Sequence, residues 1–459
     1  MKTSSSHLSM EAAIAMFPTR RAILAGLGTA PFLGGVASGE PPATILIRNV
    51  QLFDGTGSPR QPRNVRILGD RIDAVSAGDI PAPRGATVID GAGQTLMPGL
   101  TDAHWHMSAV KGVPWMGSDD AVAVALVLQD AEFQLMRGFT TVRDTAGFVF
   151  GIKAAIDRGI VPGPRCYPSG AAISQTSGHG DTTSADQLPT ALGGEPSRLE
   201  LLGMLAVANG IPEVLAATRQ QLKRGASQIK IMASGGVTTD NDPIDVLQYT
   251  LEEMRAIVGA ATDWGTYACA HAYSASAVRR CLEAGVLSIE HGHGIDDATA
   301  ALMAEKGAWL STQPFEAGDN ILTPEQQIKA TESLGGAGWQ PSVRLAKKHG
   351  VKIAFGTDLF ARTRTSRTEN VILPRLGTIF PNAEVLRMAT SGNCALFAQS
   401  GKRNPYRAAL LGIVKEGAWA DLLLVRGNPL DDLHLLADYE RNLLVIVKDG
   451  VIHKNVLAA

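Results

Sequence analysis

Six residues scattered along the chain suit one piece of chemistry: His104, His106, Lys230, His271, His291 and Asp358. Histidine offers a neutral nitrogen, and aspartate an anionic oxygen, to a borderline-soft dication such as Zn²⁺. His104 and His106 stand one residue apart at the end of the apolar run that begins at Met97. Side chains alternate along a strand with period two, so both imidazoles project to one face. That pair suits a first metal ion, and His271 and His291, each closing another apolar run, suit a second. For any one histidine a hydrogen-bonded core or rim imidazole is the plainer reading; four at successive strand ends reverse the balance.

Lys230 lies between Ile229 and Ile231. An ammonium buried there beside two dications is strongly disfavoured. Desolvation and positive neighbours lower its pKa, and a neutral amine can add CO2 to become a carbamate, an anion able to bridge two metals. The alternative is a lysine that snorkels to the strand end, leaving a mononuclear or differently built site. Asp358 follows Phe355-Gly356-Thr357, where small residues let the backbone approach the metals closely. It is expected to be both ligand and general base. Two metals about 3.5–4 Å apart can share a hydroxide near neutral pH. Asp358 would orient that hydroxide, take its proton during attack and deliver it to the leaving nitrogen.

Substrate contacts are sought around these six. His293, in "EHGHG", and His179, in "SQTSGHGD", can each donate a hydrogen bond to the scissile carbonyl or its oxyanion. His293 is thereby grouped with Asp358 as catalytic, its alternative being an orienter of a metal ligand; for His179 the alternative is a solvated loop residue. A free carboxylate on the substrate needs a cationic clamp, and "FARTRTSRTEN" offers Arg362, Arg364 and Arg367. Each of these also reads as a surface charge. Tyr249, Trp105, Trp115 and Phe315 can wall an apolar pocket or, individually, pack in the core.

The elements that must hold these residues alternate. Strand-like runs lead into His104 and pass near Val142, Tyr167, Lys230, His271, His291, Leu310 and Asp358. Between them, stretches such as 120–136, 212–224, 250–264 and 275–284 space apolar residues by three and four, as helices do. Eight strands alternating with helices make an α/β chain with the order of a (β/α)8 TIM barrel, whose chemistry sits at the C-terminal strand ends. A doubly wound sheet is the alternative, but no Gly-x-Gly-x-x-Gly fingerprint follows an early strand. Short alternating runs at both chain ends predict a small β-sandwich split between 41–97 and 404–459, with the barrel over 98–403.

The chain has 459 residues, 45% hydrophobic and 19% charged, with a formal net charge of -2. Without basic blocks, neither nucleic acid nor an anionic membrane is expected as the main partner. The expected partner is a small molecule. Cys166, Cys269, Cys281 and Cys394 form no Cys-x-x-Cys pair and read as buried thiols. Near the N-terminus, Thr19-Arg20-Arg21-Ala22-Ile23-Leu24 opens an uncharged run over 22–36, shorter than the roughly 20 residues that span a bilayer. Residues 1–40 are therefore expected to be a twin-arginine signal, giving a periplasmic or secreted protein with no span in the mature chain. Met10 or Met16 are alternative starts.

The motifs "DAHWHM", "QIKIMASGG", "CAHAYS", "SIEHGHGID" and "FGTDL", in this order, resemble the metal-dependent amidohydrolase superfamily. More narrowly, they are similar to its imidazolonepropionase-like and Xaa-Pro dipeptidase-like branch, which includes bacterial ochratoxin-hydrolysing amidohydrolases. The resemblance implies two Zn²⁺ per chain on these six residues, a carboxylated Lys230, polar substrate contacts around His179 and His293, and a homo-oligomer. It implies hydrolysis of an amide bond to a carboxylate-bearing amino acid, as in Xaa-Pro dipeptides or N-acyl aromatic amino acids of the ochratoxin type. Ester, lactone or phosphotriester hydrolysis by the same centre is the alternative, and a periplasmic binding protein without turnover is another. The loop after Asp358 and Cys394 in "TSGNCALFA" depart from the usual texture of relatives and bear on the substrate.

Overall fold

The alternating runs at the two chain ends find one another. A computed structural model describes residues 43–109, 119–314, 316, 319, 322–333, 338–359 and 368–457. The N-terminal strands are β1 (Thr44–Leu52), β2 (Gln61–Leu68), β3 (Arg71–Ser76), β4 (Thr87–Asp90) and β5 (Thr95–Pro98). The central ones are β6 (Leu100–Trp105), β7 (Phe139–Asp144), β8 (Arg165–Pro168), β9 (Ala172–Ser174), β10 (Leu205–Val207), β11 (Ile229–Met232), β12 (Ala268–Ser274), β13 (Ser288–Gly294), β14 (Trp309–Thr312) and β15 (Lys352–Phe355). The last are β16 (Leu422–Val425), β17 (Leu443–Lys448) and β18 (Val451–Asn455).

The two ends share one eight-stranded sheet, ordered β18-β17-β16-β5-β1-β2-β3, with β4 beside β1. β16 runs antiparallel to β5, pairing Leu423 with Met97, so the last apolar runs are stitched to the strand that leads into His104. Ile47, Val65, Leu96, Leu424 and Val447 bury one another in a cluster of their own.

The central strands are parallel and form two ladders, β6-β7-β8 and β10-β9-β11-β12-β13-β14-β15. With β8 and β9 taken as one strand interrupted at 169–171, eight parallel strands follow the expected order, and β10 is an addition from the segment after the third. β15 returns towards β6, where the Asp358 N–H donates to the His104 carbonyl at 2.8 Å. Only glycine fits at this approach: a Cβ on Gly356 would lie 2.6 Å from His104 Cβ. The fold is α/β and TIM-barrel-like.

Helices cover the strands where the periodicity places them. The 250–264 stretch forms the helix Leu251–Asp263, started by a capping box between Thr250 and Glu253. The helix Gly210–Arg224 begins two residues before the expected start, and it ends on Gly225 at φ 102°. Ile229 and Ile231 pack in the same apolar layer as Leu222, Ile257, Val278 and Leu282. Alternation then turns Lys230 to the opposite, inner face, where it is 1% exposed.

One expectation needs correction. Lys230, His271 and His291 do not sit at strand ends: Lys230 is the second residue of β11, and β12 and β13 continue to Ser274 and Gly294. All four cysteines are buried and unbonded. Among the described residues no helix is long and apolar enough to cross a membrane. The signal segment, Trp115, Phe315, Arg362, Arg364 and Arg367 lie outside the described residues.

Candidate metal centre

The structure gathers four histidines and one carboxylate into a buried cluster. The ligand atoms of His104, His291 and Asp358 lie within 4.8 Å of one another. Asp358 Oδ1 is 3.0 Å from His106 Nε2 and 3.4 Å from His104 Nε2, and its Oδ2 is 3.7 Å from His291 Nδ1. The His271 ring packs edge-on to His291 with centroids 4.6 Å apart. Two of these residues hold left-handed backbone, His291 at φ 73° and Asp358 at φ 47°. Such conformations cost energy in non-glycine residues and concentrate at functional sites.

The strain at His291 has a consequence. Ile289 faces the helices, so Glu290 faces inward, and plain alternation would send His291 outward again. The left-handed turn brings consecutive residues of β13 to one site. Glu290 was not anticipated from the sequence. It is fully buried and accepts from His104 Nδ1 at 2.7 Å. Arg143 Nη2 donates to both of its oxygens, at 2.7 and 2.8 Å, and the Ser288 hydroxyl donates to Oε1 at 2.7 Å. Burial works against the Arg143 charge, but Glu290 more than offsets it and keeps the guanidinium protonated. A charged donor shared between both oxygens fixes the carboxylate, and the carboxylate fixes the imidazole tautomer.

The other tautomers are set by backbone. His106 Nδ1 faces the Ala146 carbonyl at 3.2 Å, and His271 Nε2 faces the Gly235 carbonyl at 3.1 Å. Burial, then the positive charge of Lys230, hold His104 well below the ordinary imidazole value. Burial does the same to His271 and His291, aided first by His179 and by His271 respectively. Lys230 is lowered too, chiefly by burial, and its ammonium makes no hydrogen bond or ion pair among the described residues. Burial also raises the Asp144 carboxyl, to about 7, beside His106.

Further polar groups pack around this cluster. His179 is no solvated loop residue: its ring stacks on His271, with centroids 4.2 Å apart and planes 19° apart. Its Nδ1 lies 2.9 Å from both Asp242 Oδ2 and Thr239 Oγ1. His293 is buried, 5.9 Å from the His291 ring, and burial lowers it to about 4. Tyr273, absent from the expected set, packs 4.8 Å from His271 and 5.0 Å from His291. Its hydroxyl has no hydrogen-bond partner among the described residues, and burial pushes its pKa well up. Two expected pocket walls are core instead. Tyr249 donates its hydroxyl to the Ala208 carbonyl at 2.8 Å inside the helix-facing layer, and Trp105 packs near Phe139 in the same layer.

Neutral imidazoles and a carboxylate converging inside a TIM-barrel-like α/β fold define a hydrolase that works through bound metal. The amidohydrolase family matches residues 95–452, and the chain belongs to that family. It is a hydrolase of amide or peptide bonds. It is 29% identical over 420 residues to the ochratoxinase of Aspergillus niger, covering 88% of this chain and 85% of that protein. The ochratoxinase crystal structure superposes with a TM-score of 0.75 at 27% identity, over 91% of this chain and 96% of that one. A prolidase crystallised with N-methylphosphonate-L-proline gives 0.80 at 31% identity, over 90% of this chain and all of that one (100%). An Xaa-Pro dipeptidase with methionine bound in its active site gives 0.75 at 30% identity, with 90% and 100% covered.

The residues fit a metal. His104 keeps its proton on Nδ1 towards Glu290, so Nε2 presents a bare lone pair to Asp358 Oδ1. His106 turns Nδ1 to the Ala146 carbonyl in the same way, which leaves its Nε2 facing that same oxygen at 3.0 Å. Asp358 Oδ1 is buried and makes no hydrogen bond with either ring. Two ring nitrogens that face a buried carboxylate oxygen without hydrogen-bonding to it are the donor set a cation between them turns into coordination.

Proposed function

We propose that the chain is an exported binuclear zinc amidohydrolase, with His104, His106, His271, His291, Asp358 and a carboxylated Lys230 holding two Zn²⁺. The convergence of the His104 and His106 ring nitrogens on Asp358 Oδ1 carries this reading. Lys230 supports the second metal, because an unpartnered buried amine is costly as an ammonium and a carbamate there would be neutralised by two dications. In the same reading the eight central strands close into a barrel over 98–403, and the end strands form a split sandwich from 41–97 and 404–459. Residues 1–40 direct export to the periplasm or beyond, and the mature chains assemble as a homo-oligomer.

The metals supply an activated water and a Lewis acid for the scissile carbonyl. Asp358 takes the proton of the attacking water and hands it to the leaving nitrogen. The Tyr273 hydroxyl and His293 hold the carbonyl oxygen as charge develops on it, and the buried surroundings strengthen both hydrogen bonds. His179, stacked on His271, is a further substrate contact in this reading. The substrate is an amide whose leaving group is an amino or imino acid with a free carboxylate, either an Xaa-Pro dipeptide or an N-acyl aromatic amino acid of the ochratoxin type. Relatives named ochratoxinase, prolidase and Xaa-Pro dipeptidase support that class. Arg362 and Arg364 remain the proposed carboxylate clamp.

The test is hydrolysis of N-acyl amino acids, Xaa-Pro dipeptides, lactones and phosphotriesters by one zinc-loaded sample of measured metal content. Cleavage confined to carboxylate-bearing amides, with about two metals per chain, is the expected result. Lactone or phosphotriester turnover alone removes the substrate class. Asp358→Asn is expected to keep its metal and lose roughly 10²–10⁴ in kcat, the range for a general acid-base group. Unchanged kcat in that variant removes the proton-transfer role.

A further inference from the structure

The helix Pro324–Ser333 is tied to the loop after β11 by side-chain hydrogen bonds. Glu325, Gln327 and Ile328 are exposed, Ile328 at 60%. Among the described residues, four hydrogen bonds join the helix to the loop. Gln326 Nε2 donates to the Thr238 carbonyl at 3.0 Å. Lys329 Nζ donates to the Thr239 carbonyl at 2.6 Å, the Asp242 carbonyl at 3.0 Å and Asp242 Oδ1 at 3.3 Å. An ammonium has three protons, and here all three are spent on one turn of the chain.

That turn is what holds His179. Asp242 is fully buried, and its Oδ2 accepts from the Gly236 N–H at 2.7 Å as well as from His179 Nδ1. Thr239 donates its hydroxyl to Asp242 Oδ1 at 2.6 Å and so presents its oxygen lone pairs to the same ring. The ring lies flat on the turn, since a Cβ on Gly236 would sit 2.0 Å from His179 Cε1. The imidazole orientation therefore depends on the turn, and the turn on a lysine from another element.

We infer that Lys329 is a positioning residue for the substrate: by pinning the Thr239 and Asp242 carbonyls it fixes Asp242, and through Asp242 the His179 ring. This rests on His179 being a substrate contact. The helix is a latch of polar bonds, and its single ammonium decides how well the substrate wall is ordered.

The experiment compares metal-loaded wild type, Lys329→Met, Lys329→Arg, His179→Ala and the Lys329→Met/His179→Ala double variant, on the fastest amide of the panel. Lys329→Met is expected to lose about 10-fold and His179→Ala about 100-fold in kcat/KM, and the double variant no more than His179→Ala, because residues acting through one another are not additive. The loss in Lys329→Met falls mainly on KM, metal content is unchanged, and Lys329→Arg recovers part of it. Amide exchange over 235–242, read without substrate, speeds up in Lys329→Met and stays slow in wild type. A silent Lys329→Met beside an impaired His179→Ala removes the latch alone. A silent His179→Ala removes the substrate reading and the latch with it. Losses that multiply in the double variant, or a fall in metal content, show that Lys329 acts elsewhere.

Discussion

Two buried carboxylates each hold an imidazole by Nδ1, and they are built differently. Glu290 stands behind His104, on a strand, and is itself held by Arg143 from another strand with neither side chain exposed (0% for both). Asp242 stands behind His179, on a loop, and is held by Lys329 from a half-exposed helix, the lysine side chain being 19% exposed. The first pair ties a proposed metal ligand to the strand scaffold. The second ties a proposed substrate contact to segments outside it. In the proposed reading, a site arranged this way changes its substrate contacts without disturbing its metal ligands, because loops beyond parallel strands vary more freely than the strands.

The comparison breaks most visibly at Arg143. Arg143→Met leaves Glu290 as a buried, uncompensated charge, and breaking such a pair costs about 3–5 kcal/mol. Urea unfolding of the variant should report a loss of that size, together with weaker metal binding as His104 loses its orientation. A loss below about 1 kcal/mol, the range for exposed pairs, would mean that water reaches Glu290 and that the two carboxylates do not differ in kind. On the other side, Gly236→Ala pushes a methyl group into the His179 ring. A displacement near 1 Å in a positioning group costs on the order of 100-fold in rate, so kcat/KM should fall by about that factor while metal content holds. Metal loss in Gly236→Ala would show that the two regions are coupled.

The difference between these regions also explains what was legible in the sequence. Histidines are few in this chain, ten in all, and His104, His106, Lys230, His271, His291 and Asp358 each stand in or after an apolar run, so they could be picked out by type and placement together; the structure draws together the four histidines and Asp358. Tyr273 was within reach too, because it stands two residues after His271 on one strand and shares its face. Glu290 was not, since it precedes His291 and alternation sets the two apart; the φ of 73° that reunites them leaves no mark in composition. Asp242 pairs with His179 across 63 residues of chain, between two loops without periodicity, and only the adjacent Gly235 and Gly236 hint at a close approach there. Tyr249 misled because an aromatic near a site and an aromatic in a core look alike until its hydroxyl finds the Ala208 carbonyl. The strand order survived for the opposite reason: eight alternations of pattern constrain one another, as single side chains do not.

The smallest expected effect serves as a reference for both regions. Asp296 begins the helix Asp297–Glu305, away from either carboxylate, accepting from the Thr299 N–H at 2.7 Å and pairing with Arg279 at 3.0 Å. Asp296→Ala should cost about 1 kcal/mol, as removal of an N-cap does, and leave kcat, KM and metal content alone. Its hydrogen bonds to Thr299, then the Arg279 contact, lower the carboxyl from 3.8 to about 2 in the folded chain. A group depressed on folding stabilises above its unfolded value and stops doing so once protonated. The Asp296 contribution is therefore complete above about pH 4 and disappears as pH falls towards 2, so wild type and Asp296→Ala should converge in stability across that window. A gap that persists at pH 2 would mean that packing, not the cap, supplies the difference. Acid losses shared by wild type and this variant then belong to the buried carboxylates, where Arg143→Met and Gly236→Ala can assign them to one region or the other.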